Sequence, residues 1–286
     1  MKERFAQGCI LGAAAAWGCI GLFSRRLLLG GVSAENIVVL RNFGSLLVLL
    51  AVFAVRDRSV FRVEPRHLPI FFGTGVVSVV LFTLCYFHAQ QLCSLATAAI
   101  LLYTAPAMVV LMSVPVLHEK LTRRKLCALA LAFAGCLFVS GVLQGGLSLT
   151  PAGLLFGLGA AFFYALYSIF SPFALRRYSP MAVVVWSFVF AGLGALFLVD
   201  PGNLRASFAD RSLIPVAAGL VLVSTVLPYL LYTRGLSEVE SGKASILASL
   251  EPVVASFVGI LVYGEPMSLS VAAGLGCILG CVFILR

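Results

Sequence analysis

The sequence predicts an all-α integral membrane protein with ten transmembrane helices, arranged as two inverted five-helix repeats with both termini in the cytoplasm. Three observations lead to this prediction: the composition, the spacing of the apolar runs and a similarity between the two halves. Hydrophobic residues make up 61% of the 286 residues, charged residues 11%, and the mean hydropathy is +1.08. Soluble domains carry about 25% charged residues. We therefore expect the lipid bilayer to be the main solvent of this chain.

Ten apolar runs, separated by glycine, proline and charged residues, account for most of the chain. A helix needs about 20 residues to cross the hydrocarbon core, so ten spans use about 200 residues and leave no room for a separate soluble domain. The alternative for the first run is a signal peptide, but the run is too long and lacks a small-residue cleavage site followed by polar sequence. The predicted spans are residues 5–28, 34–55, 68–92, 95–117, 125–142, 151–175, 180–199, 212–236, 243–262 and 268–285.

The basic residues predict the orientation of these spans. The formal net charge of +9 comes from short clusters between apolar runs, which is the pattern of topology determinants, so no nucleic-acid partner is expected. Fifteen basic residues fall on the side that holds the termini and four on the other side, while Arg41 lies within a span. The positive-inside rule then predicts that both termini lie in the cytoplasm. The predicted location of the protein is the cytoplasmic (inner) membrane. The fifteen are Lys2, Arg4, Arg56, Arg58, Arg62, Arg66, Lys120, Arg123, Arg124, Lys125, Arg176, Arg177, Arg234, Lys243 and Arg286; the four are Arg25, Arg26, Arg205 and Arg211.

Motifs for metal, cofactor or enzyme chemistry are missing from the sequence. The eight cysteines lie inside apolar runs, form no CxxC pair and have no histidine or aspartate cluster beside them, so neither a disulfide framework nor a metal site is expected. His118-Glu119 lacks the second histidine that a zinc protease helix needs at Thr122, and neither a P-loop nor G-x-S-x-G occurs. We expect no cofactor and no enzymatic activity.

The two halves of the chain are similar to each other. Five spans lie in residues 5–142 and five in 151–285, and an odd number of spans makes the second copy enter the membrane from the opposite side. Inverted repeats around a midplane site are the architecture of many secondary transporters. The repeat is carried by Tyr86, Pro106 and Glu119, which recur at an offset of 146 residues as Tyr232, Pro252 and Glu265.

At these residues the chain resembles the EamA family of the drug/metabolite transporter superfamily. The similar segments are AAAAWG in the first span, APAMVV and HEKLT around the fourth, and ASLEPVVASFVGILVYGEP in the ninth. The resemblance covers nearly the whole chain, once in each half. It implies a ten-helix carrier that alternates between inward- and outward-facing states, in a family of which many members export amino acids or other metabolites.

Glu251 is the most informative single residue, because it falls near the middle of the ninth span. A charged carboxylate there adds about 2.5–3.5 kcal/mol to the free energy of membrane insertion. The residue equivalent to Glu251 in the first half of the chain is Ala105. Glu251 either couples protons or binds an amine, or it only hydrogen-bonds groups freed by the adjacent Pro252 or holds a neighbouring helix in place. Arg41, in the second span, either extends outward to the interface or pairs with a substrate carboxylate or with Glu251.

Aromatic and polar residues concentrate in the third, fourth, sixth, eighth and ninth spans, and the fifth and tenth spans are almost bare of them. Polar groups in lipid need partners or water, so we expect the polar spans to face a shared cavity. The predicted hinges are the mid-span residues Pro106 and Pro252, and the predicted coupling residues are Glu251 and His88, although a lone His88 also fits a packing role. The predicted substrate-binding residues are Trp17, Tyr86, His88, Gln90, Tyr103, Tyr164, Tyr229, Tyr232 and Glu251.

These features predict a secondary transporter that moves a small polar or amphipathic metabolite, such as an amino acid or amine, by alternating access. Its partners would be the substrate, the lipid bilayer and protons as the coupling ion. Export is the preferred direction through the resemblance. The alternatives are a proton-coupled importer and, from another class, a membrane-embedded enzyme.

Overall fold

The protein is built from α-helices in a computed structural model that describes residues 2–140, 142–145, 150–264 and 266–285, and no β-strand occurs in these ranges. Glu265 of the sequence repeat, Gly146 and Arg286 lie outside them. The helices are α1 Lys2–Gly18, α2 Ile20–Leu29, α3 Ala34–Arg56, α4 Leu68–Phe72, α5 Leu81–Leu92, α6 Leu95–Leu102, α7 Ala105–Leu117, α8 Arg123–Val139, α9 Val142–Gly145, α10 Pro151–Leu175, α11 Pro180–Ala195, α12 Pro201–Ser207, α13 Leu213–Val221, α14 Leu227–Leu236, α15 Ser241–Ala248, α16 Glu251–Tyr263 and α17 Leu269–Leu285.

Eight helical segments of the described chain are long and apolar enough to cross a membrane. They correspond to eight of the ten predicted spans and confirm a multi-pass membrane protein. Several segments consist of two consecutive helices. The segments are Lys2–Leu29, Ala34–Arg56, Pro65–Leu92, Ala96–Leu117, Pro151–Leu175, Pro180–Leu198, Leu213–Leu236 and Ser241–Tyr263.

The predicted fifth and tenth spans form helices of 17 residues each, α8 and α17. At 1.5 Å per residue each is about 26 Å long, which is at the lower limit for crossing a hydrocarbon core of about 30 Å. The two helices pack against each other at Gly135 and Gly274. A Cβ atom added to Gly135 would lie 2.8 Å from the carbonyl oxygen of Gly274, so the helices touch backbone to backbone.

Side-chain caps set the beginnings of many helices. A serine, threonine or aspartate precedes the helix, and its side chain accepts a hydrogen bond from a backbone N–H in the first turn. In a membrane these caps also reduce the number of unpaired N–H groups at each helix end. The capping residues are Ser33 for α3, Ser94 for α6, Thr122 for α8, Thr150 for α10, Ser179 for α11 and Asp200 for α12.

The fourth and ninth predicted spans are each interrupted in the middle. The first part of each ends four residues before a proline, since α6 ends at Leu102 before Pro106 and α15 ends at Ala248 before Pro252. A proline ring occupies the space of the carbonyl group four residues earlier in an α-helix, which explains the position of both interruptions.

Two segments of π-helix occupy equivalent places in the two halves. The first, Gly73–Val80, lies in the third predicted span, and the second, Leu222–Val226, lies in the eighth. Their last residues are 146 positions apart, which is the offset of the sequence repeat. π-Helical turns occur often at functional sites because they shift the helix face by one residue.

Each major helix contact joins the first half of the chain to the second. α1 packs against α14, α5 against α10, α3 against α11, α7 against α15 and α8 against α17. Polar contacts near the helix ends define two ends of the bundle. The N-terminal end holds the Lys243–Glu3 ion pair, and the opposite end holds Asn203, whose amide group donates to the carbonyl of Gly31.

The contact between α8 and α17 makes a prediction about stability. Gly135→Ala places a Cβ atom against the backbone of α17, and overpacking of this kind costs about 1–3 kcal/mol, so we expect a lower melting temperature in detergent. Gly276→Ala on α17 is the matched control, because a Cβ atom there meets nothing within 4 Å. Alanine favours a helix over glycine by about 1 kcal/mol, so the control should melt at the same or a higher temperature. Equal melting temperatures for both variants would contradict the close packing.

Candidate functional site

A cavity of about 360 Å³ lies in the middle of the bundle. This volume falls in the usual range of small-molecule sites, about 300–1,000 Å³. Helices of both halves form its wall, including α1, α3, α5, α10, α14 and the two interrupted helix pairs. The cavity reaches toward the opposite end of the bundle beside Leu28 and Ala34, where the first two spans are joined. We call this opening the mouth. Within the described residues, α8 and α17 contribute nothing to the wall, in line with peripheral positions.

Two charged residues, Arg41 and Glu251, form part of the cavity wall. Of the alternatives for Arg41, the structure shows the side chain turned into the bundle and not extended outward to the interface. The Arg41 Nε atom donates a hydrogen bond to the Thr225 hydroxyl at 3.4 Å, and this hydroxyl donates in turn to the carbonyl of Leu220 at 2.9 Å. Thr225 belongs to the second π-helical segment and is buried. This segment therefore positions the cation of the cavity.

Glu251 is the first residue of α16, directly after the interruption caused by Pro252. A carboxylate at a helix N-terminus interacts favourably with the helix dipole. The Glu251 carboxylate has no hydrogen-bond partner among the described residues, although the residue is half-buried. In this conformation Glu251 therefore does not form hydrogen bonds with groups freed by Pro252, which was one of the interpretations of the sequence. A carboxylate that faces a cavity without a partner is suited to receive a positive group.

Close helix packing fixes the position of Glu251. α1 contacts α16 at Gly18, where an added Cβ atom would lie 2.8 Å from the carbonyl oxygen of Glu251 and 2.6 Å from the Cβ atom of Val254. α1 ends at this glycine, and α2 begins at Ile20. Only glycine allows the two backbones to come this close, so the AAAAWG segment holds the carboxylate-bearing helix through its last residue.

Aromatic rings surround the two charged groups. The rings of Trp17 and Tyr229 meet edge to face with centroids 5.5 Å apart, and Phe82 contacts Tyr164 at 5.2 Å. Such rings attract a cation through their faces, and they exclude water from the charges. Seven predicted substrate-binding residues lie in the cavity wall, together with both predicted hinge prolines. The seven are Trp17, Tyr86, Gln90, Tyr103, Tyr164, Tyr229 and Glu251.

Two predicted substrate-binding residues lie elsewhere. His88 is exposed on the outer face of α5, where its ring packs 5.0 Å from Phe156. Residues two positions apart on a helix are rotated by about 200° and so point to nearly opposite sides. Tyr86 therefore faces the cavity and His88 does not. Tyr232 is buried below the cavity, and its hydroxyl is 2.8 Å from that of Ser168.

The floor of the cavity consists of hydrogen-bonded hydroxyl groups. The Tyr167 hydroxyl lies 2.7 Å from the Thr233 hydroxyl, next to the Tyr232–Ser168 pair. These pairs join α10 to α14 and separate the cavity from the N-terminal end of the bundle. In this conformation the cavity has its mouth at one end and its floor at the other.

The cavity wall also contains polar residues that were not predicted from the sequence. Ser24, Ser245 and Ser249 are examples. The last two lie one helical turn apart and precede Glu251 in the same span, and this spacing of polar residues could have identified them. Ser24 gives no such signal in the sequence. Its hydroxyl donates to the carbonyl of Ile20 within its own helix, as serine does in many membrane helices.

Comparisons with known proteins agree with this architecture. The profile of the EamA-like transporter family matches residues 4–141 and again residues 151–286. A protein of known crystal structure superposes with a TM-score of 0.79 at 21% identity, over 98% of this chain and 95% of the other, which shows the same fold.

Three curated relatives are named as transporters. An uncharacterised transporter of Archaeoglobus fulgidus is 30% identical over 98% of this chain and 96% of its own. The inner membrane transporter YicL of Salmonella typhimurium is 26% identical, over 96% and 93% of the two chains. The threonine/homoserine exporter RhtA of Escherichia coli is 28% identical, over 87% and 80%. The chain therefore belongs to the EamA-like transporter family.

Proposed function

We propose that this transporter exports a small zwitterionic metabolite, such as an amino acid, by alternating access. The observation that carries the proposal is the presence of one cation and one unpaired carboxylate, Arg41 and Glu251, in the wall of a single aromatic-lined cavity. The guanidinium matches a substrate carboxylate, and the Glu251 carboxylate matches an ammonium group. The relative RhtA of Escherichia coli is named as a threonine/homoserine exporter, which is in accord with such a substrate and with this direction.

The proposed architecture has ten spans in two inverted repeats, with α8 and α17 as the fifth and tenth spans. The equivalent interruptions before Pro106 and Pro252 support the repeat, as do the π-helical segments that end 146 residues apart. We place the N-terminal end in the cytoplasm of a cell whose inner membrane holds the protein, because fifteen basic residues belong to that side. Pro106 and Pro252 then act as hinges between the two access states.

Variants of the two charged residues test the zwitterion proposal. In liposomes loaded with threonine, homoserine and other amino acids, we expect Glu251→Gln and Arg41→Gln to lower counterflow at least tenfold, equivalent to about 1.4 kcal/mol of lost recognition. An amino acid methyl ester lacks the carboxylate, so its transport should suffer far less from Arg41→Gln. A deaminated acid lacks the ammonium group, so its transport should suffer less from Glu251→Gln.

The control variant is Glu238→Gln, which removes a half-exposed carboxylate that pairs with Arg234 at the bundle surface. It should transport like the unmodified protein. Equal losses for the amino acid, its ester and the acid in both charge variants would contradict recognition of the two ends of a zwitterion. Unaltered transport in all variants would remove both residues from the binding site.

Proton coupling is a second candidate property, favoured by the unpartnered Glu251 carboxylate. Because His88 is exposed outside the cavity, coupling falls on Glu251 alone. We expect the transport rate to change between about pH 5 and 8, and Glu251→Gln to remove this change. The measurement is counterflow at a series of pH values. Uptake that keeps its full pH dependence in Glu251→Gln would contradict coupling through this residue.

Labelling of single cysteines tests the topology. In a protein whose eight native cysteines are replaced, a cysteine at Gly264 should react with an impermeant maleimide on intact cells. Cysteines at Arg62 and Arg123 should react only after permeabilisation, because these positions belong to the basic side. If the cysteines introduced at Gly264 and Arg123 react with the maleimide from the same side of the membrane, the result contradicts the inverted repeat.

A further inference from the structure

A buried ionic cluster lies at the N-terminal end of the bundle, away from the cavity. Its centre is Glu119, in the loop between α7 and α8, whose side chain is 8% exposed. The backbone N–H groups of Ser241 and Gly242 donate to the Glu119 carboxylate at 2.5 and 3.1 Å, and the Lys125 amine donates at 3.1 Å. We call Glu119, Lys125, Glu240, Ser241 and Gly242 the Glu119 clasp.

The clasp contains one more negative than positive group. Lys125, which is 6% exposed, also contacts the carboxylate of Glu240 at 2.7 Å, so one amine serves two carboxylates. The N-terminus of α15 supplies the remaining positive potential through its dipole and through the N–H groups of Ser241 and Gly242, which donate to Glu119. A buried ion pair of this kind adds little net stability, yet removing one partner is costly. Such a contact is therefore suited to switch between a made and a broken state.

The clasp joins the two halves of the chain. Glu119 and Lys125 come from the first half, and Glu240, Ser241 and Gly242 from the second. α15, which begins at the clasp, continues upward into the cavity wall at Ser245. Directly above the clasp, the Ser241 hydroxyl donates to the carbonyl of Ser168, which belongs to the cavity floor. A path from the cavity to the N-terminal end would have to separate these segments.

The local backbone aims Glu119 at α15. α7 ends at Leu117, and the next residue, His118, has a left-handed conformation with φ 58°. The N–H group of Glu119 then donates to the carbonyl of Ser113. A left-handed non-glycine residue costs about 1–2 kcal/mol, so the surrounding contacts must hold it. On the other side of the clasp, a Cβ atom added to Gly242 would lie 3.0 Å from a Glu119 carboxylate oxygen. Glycine at this position thus leaves room for the carboxylate.

We propose that the Glu119 clasp is the latch of the N-terminal end: it holds that end closed while the mouth is open, and it must break before the cavity can open there. The proposal rests on alternating access as the mode of transport, and it is independent of which substrate the cavity binds. The carboxylate of Glu119 then sets the ratio of the two access states without touching the substrate.

A reporter in the cavity wall tests the latch. Ser245→Cys, in a protein without native cysteines, is labelled with an impermeant maleimide from either face of the membrane, in intact cells and in inverted vesicles, without substrate. With the clasp intact, labelling should proceed from the mouth side. Glu119→Gln removes a clasp charge, and we expect it to raise the labelling rate from the other side at least fivefold.

Two further variants keep the test decisive if Glu119→Gln does not fold. Gly242→Ala displaces the Glu119 carboxylate without removing any charge, and Glu240→Gln removes the outer carboxylate, which is 54% exposed. Both should raise labelling from the clasp side, the second less than the first. The matched control is Glu64→Gln, which removes an exposed carboxylate paired with Arg66, and which should not alter labelling from either side.

The outcomes separate the latch from the substrate proposal. Folded clasp variants with less than a twofold change in labelling from the clasp side would overturn the latch, and so would an equal change in Glu64→Gln. Increased labelling in the clasp variants alone would support it, even if no amino acid shows counterflow. In that case the substrate proposal fails and the latch stands.

Discussion

A proline ring and the carbonyl group four residues earlier cannot occupy the same space in an α-helix, and the centre of this protein depends on that constraint. Pro106 and Pro252 interrupt two helices halfway through their length, so α7 and α16 begin inside the bundle. Helix starts carry unpaired N–H groups, which in a membrane need polar neighbours or water. The cavity lies at these helix starts, and the constraint therefore determines where a polar site can exist.

The repeat supplies the geometry of the cavity, and the differences between its halves supply the chemistry. The equivalent of Glu251 is Ala105, which also begins a helix but carries no charge. Arg41 lies in the second predicted span, and the seventh span, residues 180–199, contains no charged residue. The two charges of the cavity thus arise once each, from opposite halves. The two similar halves of the chain therefore contribute different charges to the cavity wall.

The sequence predicted the features that depend on composition and on spacing within one helix. Long apolar runs predicted eight of the observed segments, and the one-turn spacing of Tyr86 and Gln90 placed both on the cavity wall. His88 was predicted from its residue type, and in the structure it is exposed on the side of α5 that faces away from the cavity. The Glu119 clasp was not predicted, since Ser241 and Gly242 lie 122 and 123 residues from Glu119 in sequence and their approach depends on how the two halves of the chain meet.

The second π-helical segment gives the eighth span a property that a regular α-helix lacks. Upstream of Leu222–Val226, the helix packs Leu213, Ala217 and Leu220 against the first two spans; downstream, it turns Tyr229 to the cavity. Each residue of an α-helix advances the face by about 100°. An α-helical turn through the same residues would add one step of about 100° between Leu220 and Tyr229, and this step would rotate Tyr229 away from the cavity while every hydrophobic residue stayed in place along the sequence. The wide turn and the extra residue that it accommodates therefore belong together, and the family should tolerate loss of one residue in this segment better than an exchange that tightens the turn without a deletion.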